Sequence, residues 1–416
     1  ATLWSNDHAR RVQGLARRLD FHFSREPRER ITVGYFSYDF RRHPTAYTKV
    51  GQFEQHDRSR FRVLGSCNGP DDDSEIRRRV IGAFDGFADV RGWTPDRVAR
   101  RIRADGVDIL VDLKGHTLNA PTEVFALRPA PLQVNYKGYP GTIGGDFMDY
   151  VVVDDFVVPA THRGDFSECT VNLPETYWVD DSRRTRPAAP PTRAEAGLPE
   201  DGFVYCGFNN SYKITPPLFD RWMEILRAVD GSVLWLQNTN PGSSLADNLR
   251  REAERRGVAG ERILFAPRRP LADYLALFLL ADLFLDARPY NAHTTASDAL
   301  WCGLPVLTCP GETFASRVAG SLLRVMGLDE LIAPDMDAYV ATAVALARQP
   351  DRLEALRIGV AAGRATSPLY DTPRLTRHME AAYERMMADY LAGKSPTHFD
   401  VPALPPSPSR DLSRSD

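Results

Sequence analysis

Residues Tyr290 to Pro310 read YNAHTTASDALWCGLPVLTCP, and this stretch decides the fold. The apolar run Leu283-Phe284-Leu285 precedes it, bounded by Asp286 and Pro289, the pattern of a short buried strand. A polar turn, Asn291-Ala292-His293, follows. Thr294 through Trp301 then has the composition of a helix, with Thr294 or Thr295 as N-cap and Asp298 in the early turns. Gly303 ends that helix, and Pro305-Val306-Leu307-Thr308 reads as another buried strand. Strand, turn, helix and strand form an α/β unit whose turn lies at the strand's carboxyl end, where open parallel sheets bind ligands. Unpaired amides at the helix start, two hydroxyls and His293 suit a phosphate, and the helix dipole adds about half a positive charge there. Asp298 would repel a phosphate placed beside it and suits neutral hydroxyls, such as those of a ribose. An ordinary capped helix in a buried core fits the same residues, so composition leaves both readings open.

Working outward, the same alternation recurs. Strand-like runs lie at Phe203–Phe208, Ser232–Gln237 and Arg262–Phe265, with helical stretches at Pro217–Val229, Leu245–Arg256 and Leu271–Ala281. Downstream, Glu312–Met326, Asp337–Arg348 and Asp351–Gly363 continue as helices, and Thr372–Leu391 is a long amphipathic helix. An earlier half repeats the pattern, with strands at Arg30–Phe36, Arg60–Ser66, Val107–Leu113, Leu132–Tyr136 and Tyr150–Asp154. Between two of these lies a basic amphipathic helix, Pro95–Ala104, with Thr94 as N-cap and Pro95 at the first helical position. Strands alternating with helices predict parallel, doubly wound sheets. The proline-rich polar segment Arg183–Pro191 reads as a linker between the halves. Ala1–Phe23 reads as one helix, and the proline- and serine-rich stretch from Lys394 is expected to be disordered or loosely attached.

A chain of 416 residues accommodates two domains of ordinary size. Its 43% hydrophobic and 26% charged residues suit a soluble globular protein rather than a disordered one. A net charge of -3 argues against nucleic acid and against anionic membrane as general partners. No apolar run is long enough to cross a bilayer, and the N-terminus lacks a secretory pattern. The five cysteines are scattered, odd in number and without metal-ligand spacing, which suits a reducing compartment. The cytoplasm is therefore the expected location. No GxGxxG, P-loop, HExxH or EF-hand pattern is present, so neither a nicotinamide cofactor nor a metal is expected.

Several residues at strand-to-helix turns carry chemistry. His43 follows the first strand, where an imidazole can relay a proton or donate a hydrogen bond; a loop histidine capping something nearby is the plainer alternative. Asp39, in the same loop, can orient it or cap a helix. Lys213 follows the first strand of the second half, just before the helix-start signal Thr215-Pro216-Pro217. A lysine there reaches a phosphate as a point charge. It shares a sheet edge with His293, Thr294 and Thr295, which together place a cation, a helix start and two hydroxyls around a diphosphate. Asn210 is an amide placed to read a sugar or base. Tyr274 can stack on a base, or can belong to the core face Leu271, Leu275, Phe278. His116 and the turn Tyr136–Thr142 (YKGYPGT), with Tyr139 and Gly141, suit the wall of an acceptor site, although glycine and proline there also serve turn chemistry alone.

The strings GYFSYDFRRHPTAY, APTEVFALRPAPLQVNYKGYPGTIG, FNNSYKITP and NAHTTASDALWCGLPVLTCPGETFASRVAGSLL resemble the catalytic region of O-GlcNAc transferases, with the bacterial SPINDLY-like members most similar. The resemblance runs from about Arg30 to Met386, with the motifs in the family's order. It implies a GT-B fold: two Rossmann-like lobes with a sugar nucleotide in the cleft. It implies an N-terminal helix over 1–23, the trailing edge of tetratricopeptide repeats that this chain lacks. It further implies an acceptor-side lobe over 24–190, a nucleotide-sugar lobe over 191–363, a helix returning to the first lobe over 364–392, and a tail over 393–416.

The implied reaction is inverting, metal-independent transfer of GlcNAc from UDP-GlcNAc to serine or threonine hydroxyls of proteins. The sugar nucleotide is then a substrate and no cofactor is required. By motif, His43 matches the histidine near the reacting centre and Lys213 the lysine that stabilises the departing diphosphate. His293, Thr294 and Thr295 match the phosphate-binding trio, and Asp298 the ribose carboxylate. Asn210 falls where animal enzymes have glutamine, and Tyr274 where a histidine stacks on uracil. Leu271 stands in place of a lysine near the base or ribose, and Tyr290 in place of a cysteine near the N-acetyl pocket. The expected partners are UDP-GlcNAc or a related nucleotide sugar and a protein or peptide acceptor, and a homodimer through upstream repeats is compatible with the family. Other donors, UDP-glucose or GDP-fucose, and a non-catalytic nucleotide-sugar-binding protein are the competing readings.

Overall fold

The computed structural model describes residues 1–237 and 242–405. The chain divides into two compact units, Ala1–Arg184 together with the segment from Pro368, and Thr185–Ser367. Helix α1 (Thr2–Leu19) opens the first unit. It stops four residues short of Phe23 because Asp20 turns left-handed, φ 41°, and returns its N–H to the Ala16 carbonyl.

The strands of this unit are β1 (Ile31–Ser37), β2 (Phe61–Cys67), β3 (Gly86–Asp89), β4 (Ile109–Asp112), β5 (Leu132–Asn135), β6 (Tyr150–Asp154) and β7 (Cys169–Leu173). The helices are α2 (Pro44–Gln55), α3 (Glu75–Gly82), α4 (Pro95–Ala104) and α5 (Thr122–Ala126). β1, β4, β5 and β6 are buried almost throughout, as continuous apolar runs covered on both faces must be. Short β3 has one buried residue and β7 is half polar, so neither carries a strand pattern readable from the sequence.

The second unit contains β8 (Val204–Gly207), β9 (Val233–Gln237), β10 (Ile263–Ala266), β11 (Leu283–Leu285) and β12 (Val306–Leu307). Its helices are α6 (Pro216–Ala228), α7 (Leu245–Glu254), α8 (Leu271–Leu277), α9 (Thr294–Trp301), α10 (Val318–Val325), α11 (Met336–Arg348) and α12 (Pro350–Thr366). Helix α7 ends two residues before the expected Arg256, and two other expected helices are shortened further. α8 tightens into a 3-10 turn at Phe278–Leu280. The stretch from Glu312 begins with a 3-10 turn, Phe314–Ser316, where Thr313 and Ser316 form a capping box before α10. The five-stranded sheet has the order β10-β9-β8-β11-β12, all parallel. Its order reverses between β8 and β11, so the loops following these two strands flank the switch point where ligands bind.

The terminal segment packs on the first unit. Helix α13 (Thr372–Leu391) sets the Tyr383 hydroxyl 3.1 Å from that of Tyr35 on β1. Buried Glu380 accepts from the His56 ring at 3.0 Å and from the Asp57 N–H at 2.7 Å. Strand β13 (Phe399–Asp400) then pairs with β7, completing an eight-stranded sheet of order β13-β7-β6-β5-β4-β1-β2-β3. This corrects the expectation of a loose stretch from Lys394, at least as far as residue 405. Backbone pairing, a 2.9 Å bond from the Thr170 N–H to the His398 ring and a 2.6 Å bond from Arg374 to the Leu404 carbonyl hold it. Residues 406–416 of the expected tail lie outside the described residues. Here the strand order reverses between β1 and β4, placing the loops that carry His43 and His116 side by side. Among the described residues no helix is long and apolar enough to cross a membrane.

Candidate active site

In the second unit the loop after β8 folds into a 3-10 turn, Ser211–Lys213, closed by the Lys213 N–H on the Asn210 carbonyl. Thr215 then caps α6, its hydroxyl accepting from the Leu218 N–H with Pro216 and Pro217 behind it, as the sequence predicts. These two constraints turn Lys213 inward, while Asn210 stays exposed. Lys213 is 8% exposed, and its ammonium donates to the Asn291 carbonyl at 2.6 Å and lies 3.4 Å from Asn209 Oδ1. It also sits over the Tyr290 ring, 4.2 Å from the centroid, and that ring stacks on His293 at 5.0 Å. Burial pushes the Lys213 amine down to about 8, with nearby Asp286 opposing the shift.

The helix start differs from expectation in one respect. His293, not Thr294 or Thr295, occupies the N-cap position of α9, and its side chain does not cap. Its ring N–H (Nε2) instead donates to the Ala315 carbonyl at 3.1 Å, tying the turn to the segment before α10. The first bond of the helix runs from the Ser297 N–H to the His293 carbonyl. The amides of Thr294, Thr295 and Ala296 therefore have no partner within the helix. Asp298 is buried on the next turn. Tyr274 is half-buried, its ring 5.2 Å from Phe278 and 6.1 Å from Phe208, so it joins the aromatic core face and keeps only part of its surface open.

In the first unit, His43 is the N-cap of α2, with Pro44 at the first position. The Thr45 N–H donates to His43 Nδ1 at 3.2 Å. A neutral ring so engaged carries its proton on Nε2. Burial lowers His43 to about 4, against the opposing pull of Asp39, so the ring is neutral at pH 7. Asp39 lies 3.6 Å from His43 Nδ1, beyond hydrogen-bond range, and is instead paired at 2.7 Å with buried Lys114 after β4. His116 donates from Nε2 to the Ile143 carbonyl at 2.7 Å and meets Tyr139 edge-on at 5.1 Å. The YKGYPGT turn approaches β4 closely: a Cβ at Gly138 would lie 2.2 Å from the Leu113 carbonyl oxygen, so only glycine fits. Gly141 accepts from Asn135 through its carbonyl at 3.1 Å.

The structure thus gathers Asn210, Lys213, Tyr290, His293, Thr294, Thr295 and Asp298 around the β8/β11 switch point, with Tyr274 on the neighbouring aromatic face. It gathers His43, His116, Tyr139 and Gly141 around the β1/β4 switch point. Residues not singled out from the sequence are Lys114, Asn291 and Asp286. The signal for Lys114 and Asp286 is a place directly after an apolar run; Asn291 lies in the polar turn ahead of His293 and carries no such signal.

The model of glycosyl transferase family 41 matches residues 10–188 and 187–379. The chain belongs to glycosyl transferase family 41. Among family-41 relatives, it is 36% identical over 379 residues to the probable UDP-N-acetylglucosamine–peptide N-acetylglucosaminyltransferase SEC of Arabidopsis thaliana, spanning 90% of this chain and 39% of that protein. It is 32% identical over 387 residues to the SPINDLY protein of Petunia hybrida, spanning 92% of this chain and 40% of that one. The family-41 region described here therefore spans about two fifths of the length of these curated relatives. A solved mutant of the O-GlcNAc transferase of Thermobaculum terrenum is 33% identical and superposes with a TM-score of 0.82, covering 89% of this chain and 70% of that one. A glycosyltransferase structure from Rickettsia africae, 10% identical, superposes with a TM-score of 0.51 over 88% of this chain and shares its fold.

Proposed function

We propose that this family-41 chain transfers GlcNAc from UDP-GlcNAc to serine or threonine hydroxyls of a protein or peptide acceptor. The observation that carries the reading is Lys213. Among the described residues its hydrogen-bond partners are the neutral oxygens of Asn291 and Asn209, so its charge is sheltered yet not cancelled by direct contact with a carboxylate. Beside it, the start of α9 presents amides and two hydroxyls. That set fits a nucleoside diphosphate.

The acceptor oxygen attacks the anomeric carbon, forming a new C–O bond. The bond from that carbon to the phosphate oxygen breaks, and its electron pair leaves with UDP. Attack from the opposite face inverts the centre, and Lys213 with the Thr294 and Thr295 amides meets the charge that grows on the leaving group. No step in this scheme is assigned to a metal. Asp298 is assigned to the ribose, Asn210 to the sugar or base, and Tyr274 to one face of the base. His43 is assigned a positioning role: its Nε2–H donates a hydrogen bond, because Nδ1 is taken by the Thr45 amide. The acceptor proton then goes to water or to a phosphate oxygen of the donor. His116, Tyr139 and Gly141 are assigned to the acceptor side.

A donor panel tests the reading. UDP-GlcNAc, UDP-glucose and GDP-fucose are incubated separately with the chain, and released nucleotide is measured alongside UDP and GDP affinities. Turnover of UDP-GlcNAc above the others, with UDP bound more tightly than GDP, is expected. Tighter GDP binding and turnover of GDP-fucose would replace the donor, and tight UDP binding with no turnover of any donor would favour a binding protein.

A further inference from the structure

Asp286 closes β11 and is 2% exposed. Its Oδ1 accepts from the Ala287 N–H at 2.7 Å and from the Ala292 N–H at 2.6 Å. Its Oδ2 accepts from the Thr308 hydroxyl, after β12, at 2.6 Å. One carboxylate thus gathers both ends of the loop that runs from β11 to the N-cap of α9. Inside that loop the Asn291 side chain donates to the Ala287 carbonyl at 2.9 Å, and the Asn291 N–H donates to the Ala315 carbonyl at 3.0 Å. The Asn291 carbonyl, held at both ends, is the oxygen that receives the Lys213 ammonium at 2.6 Å.

We propose that Asp286 is a positioning residue for Lys213: it shapes the loop whose carbonyl receives the ammonium, and it supplies a buried negative charge that keeps that ammonium protonated at neutral pH. The inference rests on the donor-site reading given above, because the lysine matters to catalysis only where a diphosphate is bound. The carboxylate does not spend itself on a salt bridge to Lys213. Its oxygens accept from two amides and a hydroxyl, so its charge acts through space while the lysine's donors stay directed at neutral oxygens. The ionisable neighbours of Asp286 are Lys213, Tyr339 of α11 and Cys309 after β12; Arg288 and Asp335 bear on Cys309 in turn. Tyr339 also donates to the Asp286 main-chain carbonyl at 2.9 Å. Burial raises Asp286 to about 6, and its three donors oppose that rise, leaving it ionised at neutral pH.

The test reads the lysine itself. Lysine occurs only at positions 49, 114, 137, 213 and 394, so the spectrum of protein carrying ε-carbon-labelled lysine is sparse, and Lys213→Arg assigns the Lys213 signal. Asp286→Asn keeps the shape and the acceptor oxygen but removes the charge. Its Lys213 midpoint should fall by about one pH unit, and the alkaline limb of donor turnover should move down by the same interval. Asp286→Glu should restore part of the shift. If Asp286→Asn does not fold, Thr308→Val takes one donor from the carboxylate, favours its protonated form and should move the midpoint in the same direction. A Lys213 midpoint unmoved in a folded variant overturns the proposal. A moved midpoint with unchanged UDP affinity and turnover keeps the hold of Asp286 on Lys213 and overturns the donor-site reading instead.

Discussion

The two switch points treat a buried lysine in opposite ways. After β4 in the first unit, Lys114 is cancelled by direct contact with Asp39, and the adjacent imidazole of His43 is neutral. After β11 in the second unit, the available carboxylate, Asp286, is occupied by amides and a hydroxyl, and Lys213 is left facing carbonyl oxygens. The first arrangement is self-contained and stabilises the loop that carries His43. The second leaves positive potential available at the amide-rich start of α9. Equal burial of two lysines therefore has different meanings, and the difference lies in how each carboxylate uses its oxygens.

Removing each lysine should expose that difference. Lys213→Ala is expected to lower donor turnover by about 10²- to 10³-fold, the scale of losing a donor aimed at developing charge. Its thermal melt should stay close to that of the parent chain, because a buried ammonium without a carboxylate contact adds little stability. Near-normal turnover would show that the diphosphate is stabilised elsewhere. Lys114→Met should do the reverse in kind, leaving Asp39 buried without its partner at a cost of about 3 kcal/mol in urea unfolding. A variant as stable as its parent would mean that Arg41, 3.6 Å from Asp39, takes over the pairing.

The pH profile sharpens the contrast. Lys213 sits at about 8, so turnover should fall as pH rises through that value and the ammonium loses its proton. His43, at about 4 in the folded chain, should give no inflection in turnover near 6.5. Its effect on stability has a definite sign. Between pH 6.5 and 4 the unfolded chain binds the proton that the folded chain refuses, so the His43 contribution is whole above 6.5 and is lost as pH falls toward 4. Comparing unfolding of His43→Gln with the parent across that interval isolates it; parallel curves would remove the assigned burial effect. The smallest expected change belongs to Tyr274→Ala. It should weaken UDP binding by about 1–3 kcal/mol through lost stacking, with some loss of stability from the Phe208 and Phe278 contacts. Unchanged UDP affinity would leave Tyr274 as a core residue only.

The lysine and the helix start of the second unit are legible in the sequence, whereas the carboxylate that serves each lysine is not. Leu283–Pro310 carries the pattern of strand, turn, helix and strand, and the strand pattern around Lys213 puts it on the same sheet edge. Thr94 is legible as an N-cap and Thr215-Pro216-Pro217 as a helix start, because proline fits the first helical position. What escaped depended on which strands are neighbours. Asp39 meets Lys114 only because β1 lies beside β4, and Asp286 meets Thr308 only because β11 lies beside β12. A one-dimensional pattern shows that Asp286 ends an apolar run but not which donors surround it. The α9 N-cap differs from the sequence expectation for a related reason: His293 is held by the Ala315 carbonyl, a contact across 22 positions, and local capping preference yields to it.

The short strand β13 has a further consequence. A parallel sheet presents unpaired amides and carbonyls along its rim, and these recruit strands from other molecules. By lying over β7, residues 399 and 400 occupy that rim from within the same chain. Proteolytic clipping ahead of His398 should therefore leave the chemistry at both switch points intact while making the protein prone to aggregation, visible as light scattering that grows with concentration.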